Sequence, residues 1–248
     1  MRTSILAGLL LAAAAWSQEA KTPELTGEQI FEKSIEATGG AAARAKVKSS
    51  IVKGQMELGA QGMRGSLEIY SKAPNKRLTI TRIEGMGEMS QGFDGQNAWA
   101  KDPAGNVRDV TGPQLNVIQR EAVFNADLRW KELYEKMELQ GKGKVDGKDA
   151  YVVKLTPKAG APMVRYYDAE SFLLLRSDLT ANGPQGEFTL KTMVNDYREV
   201  DGVKVAFQMT QQLPMGTMGM RIAEVKNNVP IDDAIFVKPA AAPAPAAK

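Results

Sequence analysis

The rhythm of apolar and polar positions changes near residue 47. Before it, Thr26-Gly27-Glu28-Gln29 has the form of a capping box, with Thr26 as N-cap and Gln29 three residues on. Ile30, Phe31, Ile35 and Thr38 then fall on one helical face, and Gly39-Gly40 supplies the stop. The spacing predicts an amphipathic helix over about 27–38, with a short second turn at 41–45. From Val47 the period shortens to two. Alternation broken by turn residues predicts about ten or eleven strands, within the ranges 47–58, 64–72, 76–84, 87–93, 97–101, 106–110, 136–145, 149–156, 163–168, 172–180, 186–199, 203–213 and 217–227, the shortest open to merging. Asp94-Gly95, Asp146-Gly147 and Asp201-Gly202 have the chemistry of type I′ hairpin turns, and Pro74-Asn75, Asn182-Gly183 and Pro214-Met215-Gly216 mark further turns. Strands joined by short turns make an antiparallel meander. One stretch interrupts it. Residues 113–134 place Leu115, Ile118 and Ala122 at helical spacing behind Pro113, which suits a helix start. A helix at 113–128 must lie over one face of the sheet, with those three residues inward and Gln119 and Arg120 outward. The fold class is α+β, mainly antiparallel β, in one strongly curved sheet rather than two domains.

The two ends read differently. Arg2, the apolar run Ile5 to Trp16 and the small residues Ala15 and Ser17 form a secretory signal peptide over 1–17, with an apolar stretch too short to span a bilayer. No Cys stands at the cleavage site to carry a lipid. The expected product is a soluble periplasmic chain starting at Gln18, with one domain over 18–238 and a disordered Pro/Ala tail over 239–248.

Composition narrows the chemistry. The 248 residues include no His and no Cys, which excludes Ser-His-Asp and Cys-His machinery, disulfides, and His- or Cys-ligated metal. Acid–base catalysis would rest on Asp, Glu, Lys or Tyr alone. Ser50-Ile51-Val52-Lys53 matches Ser-x-x-Lys but lies in a predicted strand with no Lys-Thr-Gly or Ser-Asp-Asn after it. Gly141-Lys142-Gly143-Lys144 lacks the spacing and hydroxyl of a phosphate-binding loop. The net charge is +3 with Lys and Arg dispersed, which disfavours nucleic acid as a partner. Asp232-Asp233 admits two readings, a hard-cation ligand or the cap of a terminal turn leading to Phe236, and the absence of further oxygen ligands at calcium-loop spacing favours the cap. No catalytic residue, cofactor or metal is expected.

Four segments, taken in order, carry a family likeness: Glu36-Ala37-Thr38-Gly39-Gly40 before Lys46-Val47-Lys48-Ser49; Phe93-Asp94-Gly95-Gln96-Asn97-Ala98-Trp99; Tyr166-Tyr167-Asp168-Ala169 with Leu173-Leu174-Leu175-Arg176; and Asp196 to Lys204 followed by Asn228-Val229-Pro230-Ile231-Asp232-Asp233 and Phe236. Together they resemble the outer-membrane lipoprotein-sorting (LolA/LolB-like) superfamily, in the broad bacterial branch also found appended to insulinase-type peptidases. The resemblance spans about 27–239. It implies an incomplete, strongly curved β-barrel with helices over its concave face, in which classical members carry acyl chains.

Methionine is the most unusual component, at 12 residues. Met209, Met215, Met218 and Met220 surround one hairpin, and Met86 and Met89 lie together. Methionine suits apolar surfaces that accept varied shapes, although apolar stripes are more often plain core. The candidate ligand-binding set is Leu67, Ile69, Leu78, Ile80, Leu115, Ile118, Phe207, Met209, Met218 and Met220. In this reading the helix bearing Ile118 is a lid over the wall formed by Phe207 and the methionines. Phe93 and Trp99 flank the first Asp-Gly turn and would close it by cross-strand packing. Two functions compete. One is a non-enzymatic carrier or binding protein for a lipid or acylated protein, with transient membrane contact. The other is a structural or interaction module of the cell envelope, with a protein partner there and a self-filled cavity.

Overall fold

The computed structural model describes residues 25–59, 62–183, 186–213 and 216–240. The expected signal peptide, the Pro214-Met215 turn and the tail beyond residue 240 lie outside the described residues.

Helix α1 (Gly27–Ala37) opens with the capping box. The Gln29 amide donates to Thr26 Oγ1 at 3.2 Å, and the Thr26 amide donates to Gln29 Oε1 at 2.9 Å. Gly39, at φ 109°, ends this segment, and α2 (Gly40–Lys46) follows. A Cβ at Gly39 would lie 2.1 Å from the Gly202 carbonyl oxygen, so only glycine allows this close approach. The strands are β1 (Ser49–Leu58), β2 (Met63–Lys72), β3 (Lys76–Ile83), β4 (Gly87–Phe93), β5 (Ala98–Lys101), β6 (Val107–Val110), β7 (Tyr134–Val145), β8 (Lys148–Pro157), β9 (Met163–Asp168), β10 (Leu174–Gly183), β11 (Gly186–Val200), β12 (Val203–Leu213) and β13 (Gly216–Asn227). Helices α3 (Gly112–Ala122) and α4 (Trp130–Leu133) interrupt them, with 3-10 turns at Ala126–Arg129 and Asp233–Phe236.

All thirteen strands form one antiparallel sheet in the order β6-β5-β4-β3-β2-β1-β13-β12-β11-β10-β9-β8-β7. It is a meander in which, among the described residues, the one long-range pairing joins β1 to β13 and brings the two halves of the chain together. The sheet does not close, so β6 and β7 are its edges. Asp146 and Gly147 have φ 48° and 82°, and Asp201 and Gly202 have φ 53° and 76°, as a type I′ turn demands. Asp94-Gly95 departs from that expectation. Only Gly95 has positive φ, and the Asp94 carboxylate accepts the Gln96 and Asn97 amides at 2.8 and 2.7 Å, so side-chain capping shapes the loop.

Cross-strand register assigns each side chain to one of two faces. One face lies under both long helices. There α1 buries Ile30, Phe31 and Ile35 against Met137, Val153, Leu155, Met163 and Tyr167. At the other end of the same face, α3 sets Ile118 and Ala122 on Phe93, Ala98 and Val110. The opposite face is closed at the β3–β5 end by the C-terminal turn, whose Phe236 is fully buried beside Leu78, Trp99 and Ile231. Asp232 caps that turn by accepting the Ala234 amide at 2.9 Å. Asp233 receives both Lys72 and Lys76 at 2.7 Å. Phe93 and Trp99 do not pack on each other. Phe93 pairs with Ala98 and Trp99 with Gly92, which sends the two rings to opposite faces. Among the described residues, no helix is long and apolar enough to cross a membrane.

Candidate functional site

Between the two helix-covered ends, the same face carries buried Val194, Phe207, Leu67 and Ile222 beside a set of side chains that are not buried. Its centre is a transverse row in which Val194 pairs with Met209, Met209 with Met220, Met220 with Met56, Met56 with Gly65, and Gly65 with Ile83. The next row runs through Gln211, Met218, Leu58 and Met63. On the other side of the first lies Ile222, Gly54, Leu67, Thr81 and Met89. Met56, Met63, Met89, Met209, Met218 and Met220 therefore share one wall, contributed by five strands. None of the six is buried. At Gly65 the missing side chain leaves space that the Met56 side chain enters, since a Cβ there would lie 3.1 Å from Met56 Cγ.

The ten residues singled out by sequence divide into three groups. Leu67, Ile69, Met209, Met218 and Met220 lie on this wall. Phe207, two residues along β12 from Met209, is buried with the Arg198 guanidinium 4.6 Å above its ring. Leu78 and Ile80 lie on the opposite face, because Leu78 pairs with Tyr70 and Ile80 with Glu68, whereas Leu67 pairs with Thr81. Leu78 is core beside Trp99 and Phe236. Leu115 and Ile118 pack with α3 against β3, β4 and β5, and Ile118 retains 4% exposure. The helix is thus a piece of core cover at one end of the sheet, not a flap over β12 and β13. Sequence reasoning missed Met56 and Met63. They stand alone in their strands, and only the cross-strand register shows that they extend the cluster around β12 and β13.

A cavity of about 760 Å³ is bounded by this part of β12, β13 and β1–β4. Its lining takes residues from both faces of the sheet: Met56, Met209 and Met220 from the methionine wall, and Arg64, Arg82 and Glu88 from the opposite face, since Arg64 pairs with Glu57, Arg82 with Ser66 and Glu88 with Arg82. On that opposite face the charges are organised. Tyr70 donates to Glu68 at 2.7 Å, and Arg82 bridges Glu68 and Glu88. The Tyr70 hydroxyl, then the Arg82 guanidinium, hold the Glu68 carboxyl below the usual carboxylate range.

From the methionine wall, the Met218 row continues as a polar strip. Gln211 pairs with Thr192, Thr192 with Ser177, and Ser177 with Arg165 of β9. Gln211 Nε2 donates to Thr192 Oγ1 at 3.1 Å. Arg165 lies 5.7 Å from the centre of the Phe31 ring. It shares Asp127 with Arg44 of α2, at 3.6 and 3.5 Å. Beside it, burial pushes the Tyr167 hydroxyl up to about 12, so this phenol is a neutral donor. Among the described residues, no group of three or more acidic side chains is placed to hold a metal ion.

No family model and no curated protein sequence matches the chain. Solved structures do. A LolA superfamily protein from Nitrosomonas europaea superposes with TM-score 0.59 at 14% identity, covering 87% of this chain and 99% of that one. The fold is that of the LolA-like superfamily. A DUF1329 family protein from Desulfovibrio piger gives TM-score 0.58 at 18% identity, over 85% of this chain and 96% of its own. An outer-membrane lipoprotein-sorting protein domain from Vibrio parahaemolyticus gives 0.55 at 14%, over 85% and 97%. The open antiparallel sheet, with edges at β6 and β7, is consistent with an incomplete curved barrel of the LolA-like kind.

Proposed function

We propose that the protein is a non-enzymatic carrier or binding protein for a lipid or acyl-bearing ligand, acting in the periplasm after export. The observation that carries this reading is the wall of six unburied methionines on one face of a LolA-like sheet. A contiguous apolar surface left open on a folded chain marks a binding site, and methionine lets it adapt to chains of different shape. Each buried methylene of a ligand would contribute about 0.8 kcal/mol, so one long acyl chain suffices for tight binding without any covalent step. Release then requires a membrane or a partner that offers equal burial. The lipoprotein-sorting domain with the same fold is consistent with an acylated protein as cargo.

The structural or interaction module has one observation in its favour: the α3 end of the sheet is filled by the chain's own Ile118, Phe93 and Val110. On the wall at β12, β13 and β1 the flanking Val194, Leu67 and Ile222 are buried but the six methionines are not, which favours carriage. Native extraction of the purified protein followed by mass spectrometry separates the two. Acyl chains in near-stoichiometric amount support the carrier. No extracted lipid, together with no uptake of a fluorescent fatty acid, assigns the protein to the interaction class.

A further inference from the structure

Arg165 is a largely buried charge that its surroundings satisfy poorly. Among the described residues its guanidinium, with five N–H donors, makes no hydrogen bond. Its Nε is fully enclosed and unpartnered, as is the Nε of Arg44 and the hydroxyl of Tyr167. The one carboxylate nearby, Asp127, stands at 3.6 Å from Arg165 and 3.5 Å from Arg44, beyond good charge-assisted hydrogen-bond length. Two cations thus share one anion and leave an excess positive charge under α1. Burying a guanidinium in this state is costly unless something repays the desolvation. The side chains of Arg165 and Arg44 are 20% and 16% exposed, so neither is wholly sealed from solvent.

Position adds meaning to this excess charge. Arg165 stands in the same transverse row as Met218, four strands away, or about 19 Å at normal strand spacing. Between them lie Gln211, Thr192 and Ser177, all half-buried and polar. The face therefore changes from apolar to polar to cationic along one line, which matches the polarity of an ionised amphiphile laid lengthwise.

We propose that Arg165, with Arg44 and Tyr167 beside it, is the binding site for the anionic head, a carboxylate or phosphate, of the ligand whose acyl chain rests on the methionine wall. The proposal rests on the carrier reading and specifies the ligand class: a singly or doubly charged anionic lipid in preference to a neutral one. Asp127 sets the limit on this preference, because it already neutralises half of the pair of arginines.

The test is calorimetric titration of the purified full chain with oleate, with methyl oleate and with inorganic phosphate. Oleate is expected to bind roughly tenfold more tightly than its neutral ester, the scale of one charge-assisted pair. In Arg165→Met that preference should fall to near unity while methyl oleate binds as before, and Arg165→Lys should recover part of it. A purely structural role for Arg165 would change the melting temperature in Arg165→Met and leave the preference intact, which overturns the proposal. Equal binding of oleate and methyl oleate by the wild type also overturns it, while the carrier reading stands. Binding of neither ligand overturns both. Tight binding of phosphate with no preference for oleate reassigns the cluster to a free anion and removes it from lipid carriage. If Arg165→Met does not fold, the wild-type comparison of the two ligands still decides.

Discussion

The indole of Trp99 lies flat over Gly92 and donates its Nε1–H to the main-chain carbonyl of Phe236, 2.8 Å away and 137 positions later in the chain. This bond anchors the C-terminal turn to the outer face of β3–β5. A Cβ at position 92 would lie 2.3 Å from the indole ring, so the glycine is what lets the ring sit there. Gly92→Ala is expected to destabilise the protein by about 1–3 kcal/mol through overpacking. Trp99→Phe should cost about 1–3 kcal/mol by leaving the Phe236 carbonyl buried and unpaired. Urea denaturation of both variants measures the loss; an unchanged midpoint for Gly92→Ala would show that the turn does not need this contact.

The same turn has a pH dependence of definite sign. Lys72, then Lys76, hold the Asp233 carboxyl down at about 2, from an ordinary value of 3.8. A depressed folded-state value means that the pairing stabilises the fold above about 3.8 and loses that contribution as pH falls toward 2. The turn should therefore loosen between those limits. Trp99 fluorescence followed through an acid titration reports it, and Asp233→Asn should remove this component at every pH. Identical acid transitions in the two proteins would show that the lysines act elsewhere.

Met209 and Met220 are cross-strand partners on the methionine wall and are half-buried. Met220→Lys should weaken binding of a fluorescent fatty acid at least tenfold by placing a charge under the chain. Its far-ultraviolet circular dichroism should match the wild type, because the position is not core. Met220→Leu, of similar volume, should retain binding within a few-fold. Normal affinity in a folded Met220→Lys variant would move the site off this face.

Ile118 is expected to behave as core. Ile118→Ala should cost about 2–4 kcal/mol, the usual loss for a large aliphatic side chain in a packed layer. Ile118→Glu should cost more, because it buries a carboxylate against Phe93 and Val110. Acyl-probe binding by the fraction that remains folded should be normal. Selective loss of binding with stability unchanged would instead restore α3 to the role of a lid.

The local features of this fold were legible in the sequence because their causes are local. Thr26 and Gln29 cap α1 through bonds three residues apart, and Asp146-Gly147 and Asp201-Gly202 turn their hairpins by their own φ preferences. Asp232 caps its turn through an amide two residues away. The strand ranges followed from alternation and turn chemistry, but their number did not: about ten or eleven were expected and the short ranges stay separate, giving thirteen. Even the likeness to the LolA-like superfamily rested on short segments in order. Alternation says that Leu67 and Ile69 share a face, and that Leu78 and Ile80 share one. It does not say whether those faces are the same, since that depends on which residue of β2 meets which residue of β3, and a shift of one position inverts the answer. Register placed Leu78 beneath Trp99 and Leu67 on the methionine wall. It also gathered Met56 and Met63 to Met218 and Met220 across a strand pairing some 160 residues long in sequence, and set Arg165 in line with them. The first and last of these depend on hairpin registers that alternation leaves open. The meeting of Met56 with Met220 depends on closure of the β1–β13 pairing, because until that loop is closed nothing in either strand fixes what lies beside it.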